Sequence, residues 1–333
     1  MSTLAVTNPA LARNTGSALL TVGNLSRLGE DIAAAAGLQA IAHEERRFED
    51  GEFKIRPLAD VQGLQVLVLA DLHGEAGTSP HDKLCRLLFL VGCLKDNGAR
   101  RVDVLAPYLC YARKDRRTKP FDPLTVRYVA QMLEAVGTDL VATVDVHNPA
   151  AFENAFRIRT RHFETTALFA DFVMQAHPGE PLAVVSPDAG GMKRVEALRE
   201  ALEARLGAPV RKGFMEKQRS LGKVTGALFA GDVEGRSAVI VDDLISTGGS
   251  MVRTAEECRR RGATRVTCLA AHGLFAGGGA TLFGSSAIDR VVVTESVEVS
   301  PDVRQAAGGK LQVLSLGPFL SRAVAELLAP ASQ

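Results

Sequence analysis

The sequence carries almost no net charge, no long apolar run and no paired cysteines, and each absence excludes a class of protein. The formal net charge is +1 over 333 residues, which argues against a general electrostatic attraction to nucleic acid or to a membrane surface. The longest apolar runs, such as LLFLVGCL (87–94), are far too short to span a bilayer. The five cysteines are odd in number and form no CxxC pair, which is typical of reduced thiols. We therefore expect a cytoplasmic protein with no nucleic-acid partner and no membrane partner.

Two further signals are missing. The first residues, MSTLAVTNPALARNTGSALL, lack a basic region followed by a continuous apolar run, so no signal peptide is expected. No Gly-x-x-x-x-Gly-Lys-Ser/Thr sequence occurs, which excludes a P-loop kinase.

The hydrophobic content of 46% and the charged content of 23% indicate a soluble globular chain, whose 333 residues suffice for two domains of ordinary size.

Short apolar runs alternate with helix-length amphipathic stretches along the whole chain. This alternation predicts an α/β fold in which parallel sheets are flanked by helices. Ligands bind such sheets at the carboxyl ends of the strands. Several predicted strands end there in polar clusters: VDVH (144–147), SPDAGG (186–191) and VDDLISTGG (241–249). These strand ends are the main indication of a functional site.

The chain also contains an internal repeat. The segments DNGARRVDVLAPYLCYA (96–112) and RRGATRVTCLAAHGLFA (260–276) align without gaps, and each predicts a helix end, a strand and a loop. Two copies of one α/β unit would account for the length, although chance similarity between ordinary helix–strand junctions is the alternative. The loop ADLHGEAGTS (70–79) of the first copy lacks most of the chemistry of VDDLISTGG in the second. We therefore expect one working phosphate loop per chain.

The segment AVIVDDLISTGGSM (238–251) has the composition of a loop that holds a sugar phosphate. Gly248 and Gly249 allow consecutive backbone N–H groups to converge on an anion. Thr247 and Ser250 add hydroxyl donors, and the helix that follows would present its positive N-terminal end to the same phosphate.

Two adjacent carboxylates, Asp242 and Asp243, precede this loop at the predicted strand end. They suit the hydroxyls of a ribose or a Mg²⁺ ion. The alternative is a polar strand-to-helix loop in which the two aspartates cap neighbouring turns.

This loop resembles the phosphoribosyl diphosphate (PRPP) binding motif, which type I phosphoribosyltransferases and ribose-phosphate diphosphokinases share. Further segments resemble the diphosphokinases alone. They are RRFEDGE (46–52), PYLCYARKDRR (107–117), DVH (145–147) and VVSPDAGGMKR (184–194). The motifs occur in the order of that family, and the resemblance extends from about residue 20 to about residue 328. It implies two tandem type I phosphoribosyltransferase-type domains, each a mainly parallel sheet flanked by helices.

On this basis we expect a flexible tail at 1–18, an N-terminal domain at 19–160 and a C-terminal domain at 161–333. The C-terminal domain would carry the ribose-phosphate loop, and the C-terminal segment would be able to cross between the domains.

The resemblance also implies an ATP site with Mg²⁺ as cofactor. The residues implied on the nucleotide are Phe48, Asp50, Gly51, Glu52, Arg113 and Lys114. In the family, the first four of these belong to a segment that reaches into the ATP site of a neighbouring subunit. His147 and Asp188 are implied at the metal–phosphate complex, although His147 would contact it through water or phosphate if Mg²⁺ keeps its preference for oxygen. The alternative for the charged run 113–119 is a solvated face.

The segment FMEKQRSLGKVTG (214–226) resembles the mobile catalytic loop of the family, and its Lys217 and Arg219 match the Lys-x-Arg pattern. These cations would neutralise charge in the transition state, whereas an exposed basic loop is the alternative. The residues implied on ribose 5-phosphate are Asp242, Asp243, Ser246, Thr247, Gly248, Gly249 and Ser250.

The expected reaction transfers the β,γ-diphosphoryl group of ATP to the C1 hydroxyl of ribose 5-phosphate, giving PRPP and AMP for nucleotide biosynthesis. Lys114 stands where the family usually has Gln, and Ser246 stands where many members have Asp. These departures leave open a non-catalytic regulatory homologue that assembles with an active diphosphokinase, and a type I phosphoribosyltransferase is a more distant alternative. The resemblance further implies self-association into a hexamer or a smaller homo-oligomer.

Overall fold

The computed structural model describes residues 16–220 and 223–328, with side chains throughout this part except at 216–227. The chain divides into two compact units. Unit 1 comprises Met1–Phe163 and Leu316–Gln333, and unit 2 comprises Glu164–Ser315, each taken over its described residues.

Unit 1 contains a six-stranded parallel sheet and a separate antiparallel hairpin. Its strands are β1 (Ser17–Val22), β2 (Gln39–Ala40), β3 (His43–Arg47), β4 (Phe53–Pro57), β5 (Gln65–Ala70), β6 (Arg101–Ala106), β7 (Leu140–Val144) and β8 (Arg159–Phe163). Its helices before Phe163 are α1 (Ser26–Ala36), α2 (Pro80–Asp96), α3 (Thr125–Ala135) and α4 (Pro149–Ala155). The sheet has the order β2-β1-β5-β6-β7-β8, and β3 pairs with β4 in the hairpin.

Unit 2 contains a seven-stranded sheet. Its strands are β9 (Leu182–Ser186), β10 (Arg211–Ser220), β11 (Lys223–Gly231), β12 (Ser237–Ile245), β13 (Arg265–Gly273), β14 (Arg290–Thr294) and β15 (Leu311–Leu314). Its helices are α5 (Thr166–Ala176), α6 (Met192–Leu206), α7 (Gly249–Arg260), α8 (Ala280–Gly284) and α9 (Pro301–Ala307), and a short 3₁₀ turn covers Ala189–Gly191. The order is β11-β10-β9-β12-β13-β14-β15, and only β11 is antiparallel to its neighbour among the described strands. The predicted pair of mainly parallel sheets flanked by helices is therefore confirmed.

The last helix, α10 (Gly317–Leu328), belongs to unit 1. Ser321 Oγ donates a hydrogen bond to the carbonyl oxygen of Asp31 in α1 at 3.3 Å. A Cβ added at Gly317 would lie 2.7 Å from Asp31 Oδ2, so glycine permits the close approach of the two helices. The change of unit follows Phe163, close to the predicted domain boundary at 160, and the chain returns to unit 1 after Ser315, a crossing that the sequence analysis left open to the C-terminal segment.

At the N-terminal end, β1 begins at Ser17, inside the stretch 1–18 that we expected to be a tail. The physical reason is backbone pairing, because Ser17 and Ala18 pair with Gln65 and Val66 of β5. Residues 1–15 of the expected tail lie outside the described part of the chain.

The central strands β5 and β9 are buried along their whole length and are apolar except for Gln65 and Ser186 at their ends. All six residues of β5 (QVLVLA) and all five of β9 (LAVVS) are buried. Parallel strands that are covered by helices on both faces require this continuous apolar composition. The burial explains why these elements were recognisable as strands from the sequence.

The internal repeat reappears as a repeated set of hydrogen bonds. In unit 1, Asp139 Oδ2 accepts the N–H of Val102 at 2.7 Å, and in unit 2, Asp289 Oδ2 accepts the N–H of Val266 at 2.7 Å. A cation from the helix that precedes β6 or β13 also binds each carboxylate: Lys95 of α2 in unit 1 and Arg259 of α7 in unit 2. Val102 and Val266 are equivalent in the aligned segments, and Lys95 and Arg259 each directly precede those segments, so the same structural roles recur at the offset of the alignment, which supports duplication over chance similarity.

Each sheet has one point at which consecutive connections leave in opposite directions. In unit 1 the chain leaves β1 toward β2 and leaves β5 toward β6, and in unit 2 it leaves β9 toward β10 and β12 toward β13. Such a switch point opens a crevice beyond the carboxyl ends of the two central strands. The polar ends of β9 and β12 flank the switch point of unit 2.

The switch point of unit 1 holds a buried ion pair. Lys83 Nζ lies 2.5 Å from Asp71 Oδ2 and 3.0 Å from Glu75 Oε1, and the side chains of Lys83 and Asp71 are 5% and 2% exposed. Asn24 Nδ2 donates a hydrogen bond to Glu75 Oε2 at 2.6 Å. An internal cation therefore saturates the carboxylate that follows β5.

We predict that Lys83→Met lowers the free energy of unfolding by about 3–5 kcal/mol, because it leaves a buried carboxylate without its counter-ion. Lys95→Met provides the matched control, since Lys95 and Asp139 are 30% and 37% exposed and such pairs contribute about 1 kcal/mol or less. Urea unfolding followed by circular dichroism measures both. Equal losses for the two variants would contradict the buried-pair account.

Candidate functional site

The loop after β9 presents Asp188 at the switch point of unit 2. Ser186 Oγ donates to the carbonyl oxygen of Asp188 at 2.6 Å and accepts its N–H at 3.3 Å, so the buried serine fixes the backbone there. Asp188 Oδ1 accepts the N–H of Gly190 at 2.9 Å and thereby caps the 3₁₀ turn. A side chain at Gly191 would overlap Ser186 Oγ, which explains the glycine at that position. The Asp188 residue itself remains exposed, with a carboxylate able to bind a cation.

Asp242 and Asp243 lie near the end of β12, on the other side of the switch point. The N–H of Asp243 donates to Asp242 Oδ1 at 2.9 Å. Burial, followed by repulsion from the Asp243 carboxylate, raises the pKa of Asp242 to about 8. Two carboxylates held this close make an acceptor pair for hydroxyl groups or for a cation.

Arg194 is a cation of this site that the sequence analysis did not assign. It lies in the first turn of α6, and its Nη1 is 3.5 Å from Asp242 Oδ1 while its Nη2 is 3.7 Å from Asp243 Oδ1. The guanidinium opposes the rise in the pKa of Asp242. The only sequence signal for this role was its place just after SPDAGG, within a segment already singled out.

The glycine-rich loop joins β12 to α7. Gly248 has φ of +84°, and a Cβ there would lie 2.8 Å from Leu282 Cβ, so both the backbone angle and the packing require glycine. The carbonyl oxygen of Ser246 accepts the N–H of Ala276 at 2.9 Å, which braces the start of the loop. The loop therefore holds the N-terminus of α7 open, with its first N–H groups available to an anion.

The hydroxyl residues of the loop differ in their surroundings. Thr247 is exposed, whereas Ser246 and Ser250 are partly buried. Ser250 Oγ accepts a hydrogen bond from Arg253 Nη2 at 3.2 Å, which brings a second cation near the N-terminus of α7. These positions give unit 2 a compact cluster of an acidic pair, an anion-binding helix end and flanking arginines.

A buried histidine on the next strand was also missed. His272 Nδ1 lies 2.8 Å from Ser296 Oγ, and Ser296 Oγ donates to the carbonyl oxygen of Ala271 at 2.9 Å. This network ties the carboxyl end of β13 to the segment after β14. The segment that follows β13 in turn bonds to the start of the glycine-rich loop, because the N–H groups of Phe275 and Ala276 donate to the carbonyl oxygens of Ile245 and Ser246.

Lys217 and Arg219 lie on β10, and their side chains fall outside the described part of the chain. The segment expected to be a loop is instead built from the antiparallel strands β10 and β11, with Lys217 opposite Ala227 and Arg219 opposite Val224. The register shifts between Gln218 and Arg219. Antiparallel backbone pairing between β10 and β11 overrode the loop signal of the glycines.

The FEDGE segment forms the turn of the β3–β4 hairpin in unit 1. The N–H of Phe48 donates to the carbonyl oxygen of Glu52 at 2.7 Å, and Gly51 has φ of +93°. Asp50 Oδ1 accepts the N–H of Glu52 at 3.0 Å. The Phe48 ring is 40% exposed, with the guanidinium of Arg46 5.2 Å from its centroid. The turn thus presents an aromatic ring and the three exposed carboxylates of Glu49, Asp50 and Glu52.

Lys114 has a partner within its own loop. Its Nζ lies 2.5 Å from Asp122 Oδ2, an oxygen that also accepts the N–H groups of Thr118 and Lys119, each at 2.9 Å. The hydrogen bond from Lys114 is the main reason that the pKa of Asp122 falls well below its usual range. Lys114 therefore closes the loop 114–122, whereas Arg113 is exposed.

His147 follows β7 in unit 1, and Asp188 follows β9 in unit 2, so neither unit by itself brings together the two residues expected at the metal. His147 is exposed, and the next residue, Asn148, caps α4 by accepting the N–H of Ala151 at 3.2 Å. Among the described residues no group of three or more His, Cys, Asp or Glu side chains is assembled for a metal ion.

Gly248→Ala should destabilise the protein by about 1–3 kcal/mol, because alanine is strained at φ of +84° and would press on Leu282. Gly249→Ala is the matched control. A Cβ there meets nothing closer than Arg253 Nη1 at 3.4 Å, so its cost should be smaller. Thermal unfolding of the two variants tests the prediction, and equal midpoints would overturn it.

Asp242→Asn should change how stability depends on pH. The pKa of Asp242 is raised from 3.8 to about 8, so the unfolded chain loses this proton at a lower pH than the folded chain does. The wild type therefore loses stability, relative to Asp242→Asn, as the pH rises from about 4 to about 8, and the difference is constant above that window. Urea unfolding of both proteins without substrate or divalent cation provides the measurement. A difference that does not vary with pH would refute this pKa assignment.

Comparison with known protein families assigns both ends of the chain to one kind of enzyme. Residues 17–137 match the N-terminal domain of ribose phosphate pyrophosphokinase, and residues 210–332 match the phosphoribosyl synthetase-associated domain. The chain is 31% identical over 317 residues to a ribose-phosphate pyrophosphokinase of Caldanaerobacter subterraneus, covering 94% of this chain and 96% of the relative. It is 35% identical over 282 residues to the ribose-phosphate pyrophosphokinase of Vibrio parahaemolyticus, covering 84% of this chain and 85% of the relative.

A solved structure agrees with these matches. The phosphoribosylpyrophosphate synthetase from Mycobacterium smegmatis superimposes with a TM-score of 0.84 at 26% sequence identity, covering 93% of this chain and 98% of that one. The similarity therefore extends over nearly the whole length, including both units and the cluster at the switch point of unit 2. The resemblance inferred from the motifs is confirmed, and the chain belongs to the ribose-phosphate pyrophosphokinase family.

Proposed function

We propose that this chain is an active ribose-phosphate diphosphokinase, which transfers the β,γ-diphosphoryl group of ATP to the C1 hydroxyl of ribose 5-phosphate and yields PRPP and AMP. The observation that carries the proposal is the cluster at the switch point of unit 2. There β12 carries the acidic pair Asp242 and Asp243, and a glycine-rich loop connects this strand to the N-terminus of α7. Membership of the family supplies the direction of the chemistry.

Ribose 5-phosphate is the proposed ligand of this cluster. Its 5-phosphate would accept hydrogen bonds from the backbone of 247–250 and from the hydroxyls of Thr247 and Ser250, assisted by the positive end of α7. Ser246 begins the same loop. The ribose hydroxyls would donate to Asp242 and Asp243, which lie on the strand that leads into the loop.

The transfer itself requires no covalent enzyme intermediate. The C1 oxygen of the ribose forms a bond to the β-phosphorus of ATP, and the bond from that phosphorus to the oxygen bridging the α-phosphorus breaks. AMP leaves with the bridging oxygen, and the hydroxyl proton passes to solvent. Positioning and charge neutralisation supply the catalysis.

Lys217 and Arg219 are the proposed catalytic cations. The guanidinium of Arg219 suits bidentate contact with phosphate oxygens, and the ammonium of Lys217 suits a point contact with the transferred group. Both lie on β10, which runs parallel to β9 and pairs with its last residue, Ser186, through Phe214. The part of β10 that carries Lys217 and Arg219 therefore continues beyond the end of β9, the strand that leads into the Asp188 loop.

Mg²⁺ is the proposed cofactor, and on the ATP phosphates it would withdraw charge from the transferred group. Asp188 fits such an ion, since its exposed carboxylate offers the oxygen ligands that Mg²⁺ prefers. His147 is proposed to contact the metal–phosphate complex directly or through a water molecule.

ATP is proposed to contact Arg113 and the hairpin turn of a neighbouring subunit. The turn contributes Phe48, whose exposed ring can stack on the purine, together with Asp50, Gly51 and Glu52. Lys114 remains part of the proposal, but its bond to Asp122 means that ATP would have to compete for it.

That bond favours one competing function. A regulatory homologue that binds nucleotide without turnover, and assembles with an active diphosphokinase, would tolerate a Lys114 committed to Asp122. A phosphoribosyltransferase is disfavoured, because the whole-length similarity includes the FEDGE and Lys-x-Arg segments, which have no role in that reaction.

Homo-oligomerisation, as a hexamer or a smaller assembly, and a cytoplasmic location complete the proposal. Within the described part of the chain, no helix is long and apolar enough to cross a membrane. The exposed hairpin turn would need a second copy to complete an ATP site in the manner of the family.

Coupled measurement of AMP formation tests the proposed function. Wild-type protein should form AMP from ATP only when ribose 5-phosphate and Mg²⁺ are present. Lys217→Ala and Arg219→Ala should each lower kcat about 10²- to 10³-fold, the range expected for removing one charged group from a transition state. Lys212→Ala, on the same strand, is the control and should stay within about twofold of the wild type, because its partner is Glu196 on α6.

The competing function predicts a different pattern. It predicts that wild type and Lys217→Ala are equally inert while both bind ATP, and that the protein co-purifies with a second chain of the same family. That result would replace the catalytic proposal with the regulatory one.

A further inference from the structure

Arg194 connects the two sides of the switch point in unit 2. It projects from the first turn of α6, which follows the Asp188 loop, toward the carboxylates near the end of β12. Its two terminal nitrogens contact different residues, at 3.5 Å from Asp242 Oδ1 and 3.7 Å from Asp243 Oδ1. One guanidinium thus lies across both carboxylates of the pair.

The position of this cation is not explained by the stability of its helix. A positive charge in the first turn of a helix opposes the macrodipole and costs roughly a few tenths of a kcal/mol. Lys193 and Arg194 both stand in that first turn, and no acidic residue of the turn compensates them. Lys193 is exposed and makes no ion pair with the described residues, whereas Arg194 is 20% exposed and reaches the carboxylates. The interaction with the acidic pair is what distinguishes the two cations.

Unit 1 has a carboxylate at the equivalent position, Asp71, which is in direct contact with a buried lysine. The positions of the two units can be matched by one hydrogen bond that both contain. The N–H of Arg100, just before β6, donates to the carbonyl oxygen of Leu64, and the N–H of Thr264, just before β13, donates to that of Arg236. Counted from these two residues, Asp71 of unit 1 and Asp243 of unit 2 occupy the same position along their strands. Each has a cation from a helix that follows a central strand.

The two ion pairs differ in contact and in exposure. Lys83 lies 2.5 Å from the Asp71 carboxylate, and its side chain is 5% exposed. Arg194 stays at 3.5 and 3.7 Å from its two partners and is 20% exposed. At these longer distances the guanidinium attracts both carboxyl groups without the direct contact that Lys83 makes with Asp71. The ion pair of unit 2 is therefore looser and more exposed than that of unit 1.

We propose that Arg194 is a positioning residue for the sugar substrate: its guanidinium spans Asp242 and Asp243 and fixes the orientation in which their carboxyl groups meet the ribose hydroxyls. This inference rests on the proposed function, since it concerns the ribose 5-phosphate site. Without the guanidinium, the two carboxyl groups lose the cation that lies across both of them at 3.5 and 3.7 Å. Their side chains are then no longer held in one orientation, and the sugar meets hydrogen-bond partners that are not fixed in place.

Arg194→Gln tests this role, with Lys193→Gln as the matched control that removes a neighbouring first-turn charge. Direct binding of ribose 5-phosphate, by isothermal titration calorimetry on the intact protein, is the first readout. Arg194→Gln should weaken it about tenfold or more, the loss expected for one charge-assisted hydrogen bond. Lys193→Gln should match the wild type, and Arg194→Lys should recover part of the affinity because it restores the charge.

Steady-state kinetics supplies the second readout. Arg194→Gln should raise the KM for ribose 5-phosphate by a similar factor and leave the KM for ATP within about twofold, since the acidic pair serves the sugar. Wild-type affinity in Arg194→Gln would overturn the inference alone. So would a parallel rise of both KM values with a lowered melting temperature, which would indicate a purely structural role. If the wild type itself does not bind ribose 5-phosphate, the proposed function fails, and the inference fails with it.

Discussion

The divergence of consecutive connections at the centre of each parallel sheet is the constraint on which the site depends. Where two neighbouring strands send their chains in opposite directions, a crevice opens at their carboxyl ends. In unit 2 the strands on either side of that crevice are β9, which leads into the Asp188 loop, and β12, which carries Asp242 and Asp243 near its end. The glycine-rich loop after β12 then turns the N-terminus of α7 toward the same place. Acidic groups for a sugar or metal and N–H groups for a phosphate thus meet because of topology, before any individual contact is considered.

The two units use the same architecture with different outcomes. In unit 1 the carboxylate after the central strand is neutralised by a buried lysine in direct contact, and the loop that follows lacks the glycine-rich anion site. In unit 2 the corresponding carboxylate is accompanied by a second one and by an arginine at a longer distance. The equivalent bonds of Asp139 and Asp289 recur in the two sheets, whereas the groups at the two switch points differ. Unit 1 therefore has a buried ion pair in direct contact at its switch point, whereas unit 2 has a looser and more exposed one.

The parallel sheets could be predicted because β5 and β9 are almost entirely apolar, and the polar ends of β9 and β12 predicted where ligands would bind. Local patterns could not assign Arg194, since its partners lie far away in the sequence and meet it only across the switch point. Nor could they anticipate that Lys114 bonds to Asp122, because that depends on the loop folding back on itself. The glycines around Lys217 suggested a loop, but pairing between β10 and β11 extended the strands through it. In each case a non-local contact outweighed the local signal.

The central claim is that the site holds ribose 5-phosphate while ATP donates a diphosphoryl group. Phosphorus-31 NMR of a reaction containing the protein, ATP, ribose 5-phosphate and Mg²⁺ tests it most directly, because it identifies both products. The account predicts that AMP and PRPP appear together, with the β- and γ-phosphorus of ATP transferred as one unit to the C1 oxygen. Formation of ADP with a singly phosphorylated product, or an unchanged spectrum, would contradict it.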